Sequence, residues 1–211
     1  MQENRRGEND MATMGRPRQF DRSAAVTTAM HLFWEHGYES TSLSQLKAGL
    51  GISAPSFYAA FASKEALFQE AVTCYLASHG RVTECLWEAG LAPRAAIELA
   101  LRRSAAMQCE ADHPKGCMVA LGVMSASGAG NAGVTAALSA SRARTRAGIL
   151  TCVERGIANG QLAPATDAQA LAMVFDSFLT GLSTLARDGA THAALDAAIG
   201  QVMKLWDAAS R

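Results

Sequence analysis

The stretch "GLGISAPSFYAAF", Gly49 to Phe61, places a glycine at Gly51, a serine at Ser53 and a proline at Pro55, then three aromatic residues within five positions. It is too broken for one long helix and too apolar for a loose surface loop. Just upstream, Leu43, Leu46 and Leu50 recur at three- and four-residue intervals, which predicts a short helix capped by Thr41 or Ser42. Gly51 breaks that helix and Ser53 can cap the next. Pro55 is tolerated there because first-turn amides lack acceptors inside the helix. Two short helices about a sharp turn make a helix-turn-helix, whose second member can enter the major groove. Leu43, Leu46, Leu50, Ile52, Phe57 and Phe61 are expected to hold the pair against the preceding helix. Ala54, Pro55, Ser56, Ala59 and Ala60 are left outward. Small side chains suit close approach to base edges, where Ala can touch a thymine methyl and Ser can hydrogen-bond. Two core helices of an unrelated bundle would show the same spacing.

Working outward, helical periodicity begins near Asp21 and puts Ala25, Ala29, Leu32 and Phe33 on one face, with Gly37 as the stop. Ser63 opens a fourth helix with Ala66, Leu67, Ala71, Cys74 and Tyr75 packing inward. Beyond residue 90, Pro93 starts a helix that ends at "DHPKG", "CMVALGVMSAS" follows, and "GAGNAG" is a second break. A long helix is expected from about Val134 to Ile157, and two more in "DAQALAMVFDSFLTGLSTLARDG" and "HAALDAAIGQVMKLWDAAS". The expected fold is all-α. A flexible basic arm (1–19) leads into a three-helix DNA-binding domain with the helix-turn-helix (20–62). A larger helical ligand-binding and dimerisation bundle (63–211) follows.

Of the 211 residues, 49% are hydrophobic and 18% charged, which is the composition of a globular chain. The formal net charge is zero, so broad electrostatic capture of nucleic acid is not expected; a local basic footprint is still allowed. Five widely spaced cysteines, an odd number without a CxxC pair, fit neither a secreted disulfide framework nor a zinc site. "MQENRRGEND" carries no apolar stretch after its arginines, and no uninterrupted apolar run approaches bilayer length. A cytoplasmic protein without a cofactor or membrane partner is expected.

The stretch "FWEHGYESTSLSQLKAGLGISAPSFYAAFASKEALFQEAV" resembles the N-terminal domain of the TetR family of transcriptional regulators. The resemblance rests on Phe33 ahead of Gly37 and Tyr38, then Thr41, Tyr58 to Phe61, and the Ser63 to Leu67 start of helix four. It covers roughly residues 16–72. Many relatives carry Lys or Arg in the slot of Ala54, Gly at Pro55, and larger polar groups at Ala59 and Ala60. The resemblance implies a sequence-specific DNA-binding regulator, a repressor acting on a palindromic operator. Tyr58 and Lys64 would then position phosphates, with Ala54, Pro55, Ser56 and Ala59 nearer the bases. Arg16 and Arg18 lie where relatives extend a basic arm, and Lys47 adds a further positive point. Thr41 and Ser53 bring hydroxyls at helix N-termini, which suit phosphate oxygens.

Such regulators pair through their last two long helices. Leu171, Val174, Phe175, Phe178, Leu182 and Leu185 recur at helical spacing, as do Leu195, Ile199, Val202, Met203 and Trp206. Ala172, Met173, Leu179 and Ala186 widen the first arc beyond one buried face, as a homodimer interface would require. A pocket for an unidentified small apolar ligand is expected among Met107, Cys109, Met118, Leu121, Met124, Cys152 and Phe175. Cys117 sits at a helix start beside His113 and Lys115, a setting that stabilises a thiolate and offers a redox- or electrophile-responsive alternative. A helical enzyme and a protein-binding adaptor are the competing classes. No GxSxG, HExxH, P-loop or Rossmann fingerprint supports catalysis.

Overall fold

The computed structural model describes residues 20–124 and 132–210, without the side chains of residues 123, 124 and 132. Arg16 and Arg18 lie outside the described residues. Among those described there are only helices.

Helix α1 (Arg22–His36) starts where the Asp21 carboxylate accepts from the Ala24 amide. It buries Ala25, Val26, Ala29, Met30, Phe33 and Trp34. Helix α2 (Leu43–Leu50) opens with a reciprocal cap: Ser42 Oγ accepts from the Gln45 amide, and Gln45 Oε1 accepts from the Ser42 amide. Its end is fixed by Gly51, whose φ of 65° lies in the left-handed region that side chains with a Cβ disfavour. Helix α3 (Ala54–Phe61) follows after one further residue and its Ser53 cap, and α4 (Lys64–Ala77) is capped by Ser63. Between them Ala62 holds a positive φ of 60°, the described non-glycine residue in that region.

These four helices close around an aromatic core. Phe33 meets Phe68 edge-on at 5.0 Å, Trp34 meets Tyr75 edge-on at 4.9 Å, and Phe57 packs on Phe61 at 5.7 Å. The core continues past residue 62 into α4 and takes in Met107, Met118, Val119, Val134 and Leu138 from the following bundle.

A 3-10 segment (His79–Trp87) connects to α5 (Pro93–Cys109), and α6 (Met118–Met124) and α7 (Ala132–Ala158) follow. Helix α8 (Ala168–Arg187) and α9 (His192–Val202) complete a second core with α5 and α7. The final helical stretch is not continuous. It breaks at Met203, where the Trp206 amide donates to the Met203 carbonyl three residues back, and resumes as α10 (Lys204–Ala209). That tightening helps place Trp206 in the second core.

By length and composition alone α8 is long and apolar enough to cross a membrane, but Asp176 interrupts its apolar run, in keeping with the expectation that no uninterrupted run reaches bilayer length. Ala172, Phe175, Leu182 and Ala186 face inward on α8, while Met173, Val174 and Leu185 are exposed. Leu195 and Ile199 of α9, Met203 at the break and Trp206 of α10 all turn into the protomer's own core. The apolar surface available for pairing is therefore concentrated on α8.

Candidate nucleic-acid interface and ligand cavity

Phe57 and Phe61 anchor α3 by their burial, which leaves Pro55, Ser56, Tyr58 and Ala59 exposed on its opposite side and Ala54 half-buried. Ser53 Oγ accepts from the Ser56 amide at 3.3 Å and lies 2.9 Å from Ser56 Oγ. Ser53 is thus engaged as a cap, and the Ser56 hydroxyl beside it remains exposed. Together with Ser44, Lys47, Ala48, Gly51 and Ile52, the start of α3 lines a shallow groove open to solvent. No side chain on α3 carries a charge. Its surface can read methyl groups and shape more readily than it can form bidentate contacts to guanine.

Tyr58 is 52% exposed, with its ring held edge-on to Phe57 at 5.6 Å. Lys64 begins α4; its ammonium lies 4.3 Å from the centroid of the Tyr38 ring and donates to the Glu39 carbonyl at 3.5 Å. Burial pulls its pKa below the ordinary lysine range, against the upward influence of Glu39. A cation at a helix N-terminus opposes the helix dipole, so an anion at this place would meet both the ammonium and the first-turn amides. Lys47 is half-buried at the end of α2.

Thr41 corrects the expectation that it would offer its hydroxyl to a phosphate. Its side chain is fully buried and Oγ1 donates to the Gly37 carbonyl at 2.6 Å, tying the α1–α2 turn. Arg22 is likewise structural: it pairs with Glu70 at 2.6 Å and lies over the Phe61 ring at 5.2 Å.

Behind α4 lies a cavity of about 70 Å³, bounded by α4, the 3-10 segment, α5, α6, α7 and α8. Its wall combines Tyr75, Met107 and Leu179 with Ser104, Gln108, Arg142, Asp176 and Ser183. Gln108 is buried and its Oε1 has no hydrogen-bond partner, an acceptor left for a ligand or water. Asp176 also accepts from Arg146 at 2.9 Å.

Of the expected pocket residues only Met107 lines this space, and Cys117, expected as a reactive thiol, joins it. Helical phase and, for Cys152, distance along the helix explain the corrections. Cys109, two residues beyond Met107, is turned away and donates to the Ala190 carbonyl. Cys152 lies two turns along α7 from the cavity-lining Thr145 and donates to the Leu86 carbonyl within the second core. Phe175 faces that core, whereas Asp176, Leu179, Thr180 and Ser183 form the stripe of α8 that reaches the cavity. Met118 and Leu121 line a separate depression against Phe33 and Trp34. The Met124 side chain lies outside the described residues.

Cys117 does not meet Lys115 or His113 as its sequence setting suggests. Its sulfur accepts from the Tyr75 hydroxyl at 3.2 Å. Burial, and next the neighbouring Cys117, push the Tyr75 phenol well above its ordinary pKa, so it stays a proton donor. Sequence reasoning placed Tyr75 in the core as packing; the signal missed was that a buried phenol needs a polar partner. Gln108, Arg142 and Asp176 were missed because polar residues on helices of a bundle read as surface.

Besides the shared core, the bundle meets the reading unit through Arg187, at the end of α8. Its guanidinium donates to the carbonyls of Trp34 at 2.9 Å and Glu35 at 3.0 Å, the last turn of α1.

Two family models match the chain: the tetR family of bacterial regulatory proteins over residues 25–71, and the tetracyclin repressor-like C-terminal domain over residues 94–202. A curated relative, the HTH-type transcriptional repressor ComR of Escherichia coli (strain K12), is 33% identical over 91% of this chain and 91% of its own length. The solved structure of a cysteine mutant of the TetR family transcriptional regulator CifR, complexed with 26-bp double-strand operator DNA, superposes with a TM-score of 0.81. It is 37% identical and covers 91% of this chain and 100% of its own. A putative TetR transcriptional regulator from Rhodococcus sp. RHA1 is 32% identical, with a TM-score of 0.57 over 86% of this chain and 97% of its own.

Proposed function

This chain belongs to the TetR family of bacterial transcriptional regulators, and from that premise we propose a homodimeric repressor whose grip on a palindromic operator is modulated by a small molecule in the cavity behind Tyr75. It is a DNA-binding regulator and not an enzyme. The observation that carries the reading is α3 itself, pinned from behind by Phe57 and Phe61 while Pro55, Ser56, Tyr58 and Ala59 stand clear. Ala54, Pro55, Ser56 and Ala59 approach the base edges. Ser53 orders the start of α3, and Tyr58, Lys47 and Lys64, with Arg16 and Arg18 of the arm, hold phosphates. A twofold pairing of α8 through Met173, Val174 and Leu185 presents two α3 helices to two half-sites.

The cavity wall favours a compact ligand that is apolar on its Met107 and Leu179 side and donates a hydrogen bond to Gln108 Oε1. It shifts operator affinity only to the extent that it prefers one conformation over the other. The Tyr75–Cys117 contact favours a second reading, in which an electrophile entering the cavity alkylates Cys117.

Selection from a random duplex library at low salt tests the main reading. Enrichment of a near-palindrome is expected, and recovery of no enriched site overturns it. Iodoacetamide labelling with peptide mapping tests the second: preferential modification of Cys117 in the folded chain, with altered operator binding, is its expected result. Labelling only after denaturation removes it.

A further inference from the structure

Glu110 ends α5 with an extended ψ of 151°, and the strap from there to Cys117 folds back against α1. Within it the His113 side chain is 1% exposed and tightly placed. Its ring stacks on Trp34 at 4.4 Å and 20°, and meets His79 edge-on at 4.7 Å. His113 Nδ1 lies 3.0 Å from the Pro114 carbonyl oxygen. A carbonyl only accepts, so Nδ1 carries the hydrogen, and in the neutral ring Nε2 presents a lone pair. That buried Nε2 has no hydrogen-bond partner. It looks instead toward Glu110 Oε2 at 3.4 Å and Asp112 Oδ1 at 3.9 Å.

Three acceptors, one of them orphaned inside the fold, therefore converge with all their ligand atoms within 4.8 Å of one another. Acceptors facing acceptors repel unless a cation lies between them. We propose that Glu110, Asp112 and His113 bind a divalent first-row transition ion, Zn²⁺ or its neighbours Co²⁺ and Ni²⁺.

The spacing fits such an ion. Two donors each about 2.1 Å from a tetrahedral metal lie about 3.4 Å apart. The Nε2–Oε2 separation already has that value, and the exposed Asp112 side chain needs only a small rotation from 3.9 Å. An imidazole whose other nitrogen donates to a backbone carbonyl is the usual form of a metal-bound histidine, with tautomer and ring plane fixed beforehand. The mixed nitrogen and oxygen donors select against Mg²⁺ and Ca²⁺, which prefer oxygen alone, and the lack of a thiolate in the cluster selects against Cu⁺. Both carboxylates open to solvent, so water completes the coordination sphere.

The ion would stiffen the strap, which rests on α1 through the stack of His113 on Trp34 and the bond from Trp34 Nε1 to the Gly116 carbonyl, 3.1 Å away. On the regulator reading above, the ion is then an effector of operator binding.

Isothermal titration of the untagged, chelator-treated full chain with ZnCl₂ tests the site, and the ligand-field absorption of a Co²⁺ form reports nitrogen and oxygen ligation. One ion per chain is expected, with affinity at least about tenfold weaker in the surface double variant Glu110→Gln/Asp112→Asn. His113→Gln should abolish binding; should that variant misfold, the double variant still decides. No zinc uptake to millimolar concentration, or undiminished uptake by the double variant, overturns the site. Operator binding by the metal-free chain is measured alongside, so failure of the site and failure of the regulator reading are separate results. A bound ion that leaves operator affinity unchanged overturns the effector role.

Discussion

Around α1–α4 the chain packs with rings: Phe33 meets Phe68 and Trp34 meets Tyr75 edge to face, Phe57 tilts on Phe61, and buried together they leave each other little room to turn. From α5 onward only Phe175 and Trp206 bring buried rings to the second core, and the helices meet mostly through leucine, isoleucine and valine with the small Ala96, Ala100, Ala105, Ala172 and Ala186 between them, beside a cavity of mixed polar and apolar wall. Interlocked aromatic rings resist sliding, because each is a large knob in a shaped hole. Alanine surfaces permit close helix approach and small shifts at low cost. The contrast suits a rigid head that reads DNA and a bundle that can adjust to what it holds.

The largest expected effect tests this contrast directly. Phe68→Ala should cost about 3–5 kcal/mol and abolish operator binding, whereas Leu182→Ala in the second core should cost about 2 kcal/mol, because its surroundings can collapse. Urea unfolding followed by circular dichroism measures both. An equal loss per methylene removed would break the comparison.

Next in size is the exposed stripe of α8. Met173→Asp with Val174→Arg should give a folded monomer of 22.2 kDa in sedimentation equilibrium. Operator affinity should fall by about 10²-fold or more, because each half-site is then bound without the other. A dimer that survives both charges would move the seam away from α8.

Smaller again is the phosphate footprint of the head. Lys64→Ala should weaken binding to all duplexes alike and reduce the slope of log K against log salt by roughly one, and Arg16→Ala/Arg18→Ala by roughly two. A change at Ser56 should instead reorder preference among sites. An unaltered salt slope in the Lys64 variant would mean that α4 faces away from the duplex.

The smallest effect sits at the joint between head and bundle. His31 and His79 are both held below the ordinary 6.5, mainly by burial and next by the nearby His113, against the opposing pull of Asp112. Below that value the unfolded chain takes up protons that the folded chain resists. Stability is therefore fully present above about pH 6.5 and declines as pH falls from there toward the depressed values. Urea midpoints in chelator at about pH 7.5 and about pH 5.5 should differ in that direction, and His31→Gln/His79→Gln should flatten the difference.

The head was legible because its signals are local. Gly51, Ser53, Pro55 and the aromatic residues each act within a few positions, and the helix-turn-helix appears with those boundaries. The cavity was much less legible. Its wall comes from six segments, and a one-residue change of phase separates Phe175 in the core from Asp176 at the cavity. Periodicity shows which side of a helix is apolar, but not which neighbour that side meets. Thr41 failed for a related reason: its hydroxyl reads as a surface group until α1 closes over it.

Arg187 stands where α8 ends and α1 ends, held to two main-chain carbonyls that no substitution in α1 can remove. Main-chain acceptors leave these two bonds independent of the α1 side chains, of which Glu35 adds only an ion pair at 3.7 Å. Cavity residues outside the shared core, such as Asp176 and Thr180, can therefore drift toward new chemistry, and the residues of α3 toward new sites, without severing this contact. A lineage carrying this joint could exchange its stimulus and its target independently, one at a time.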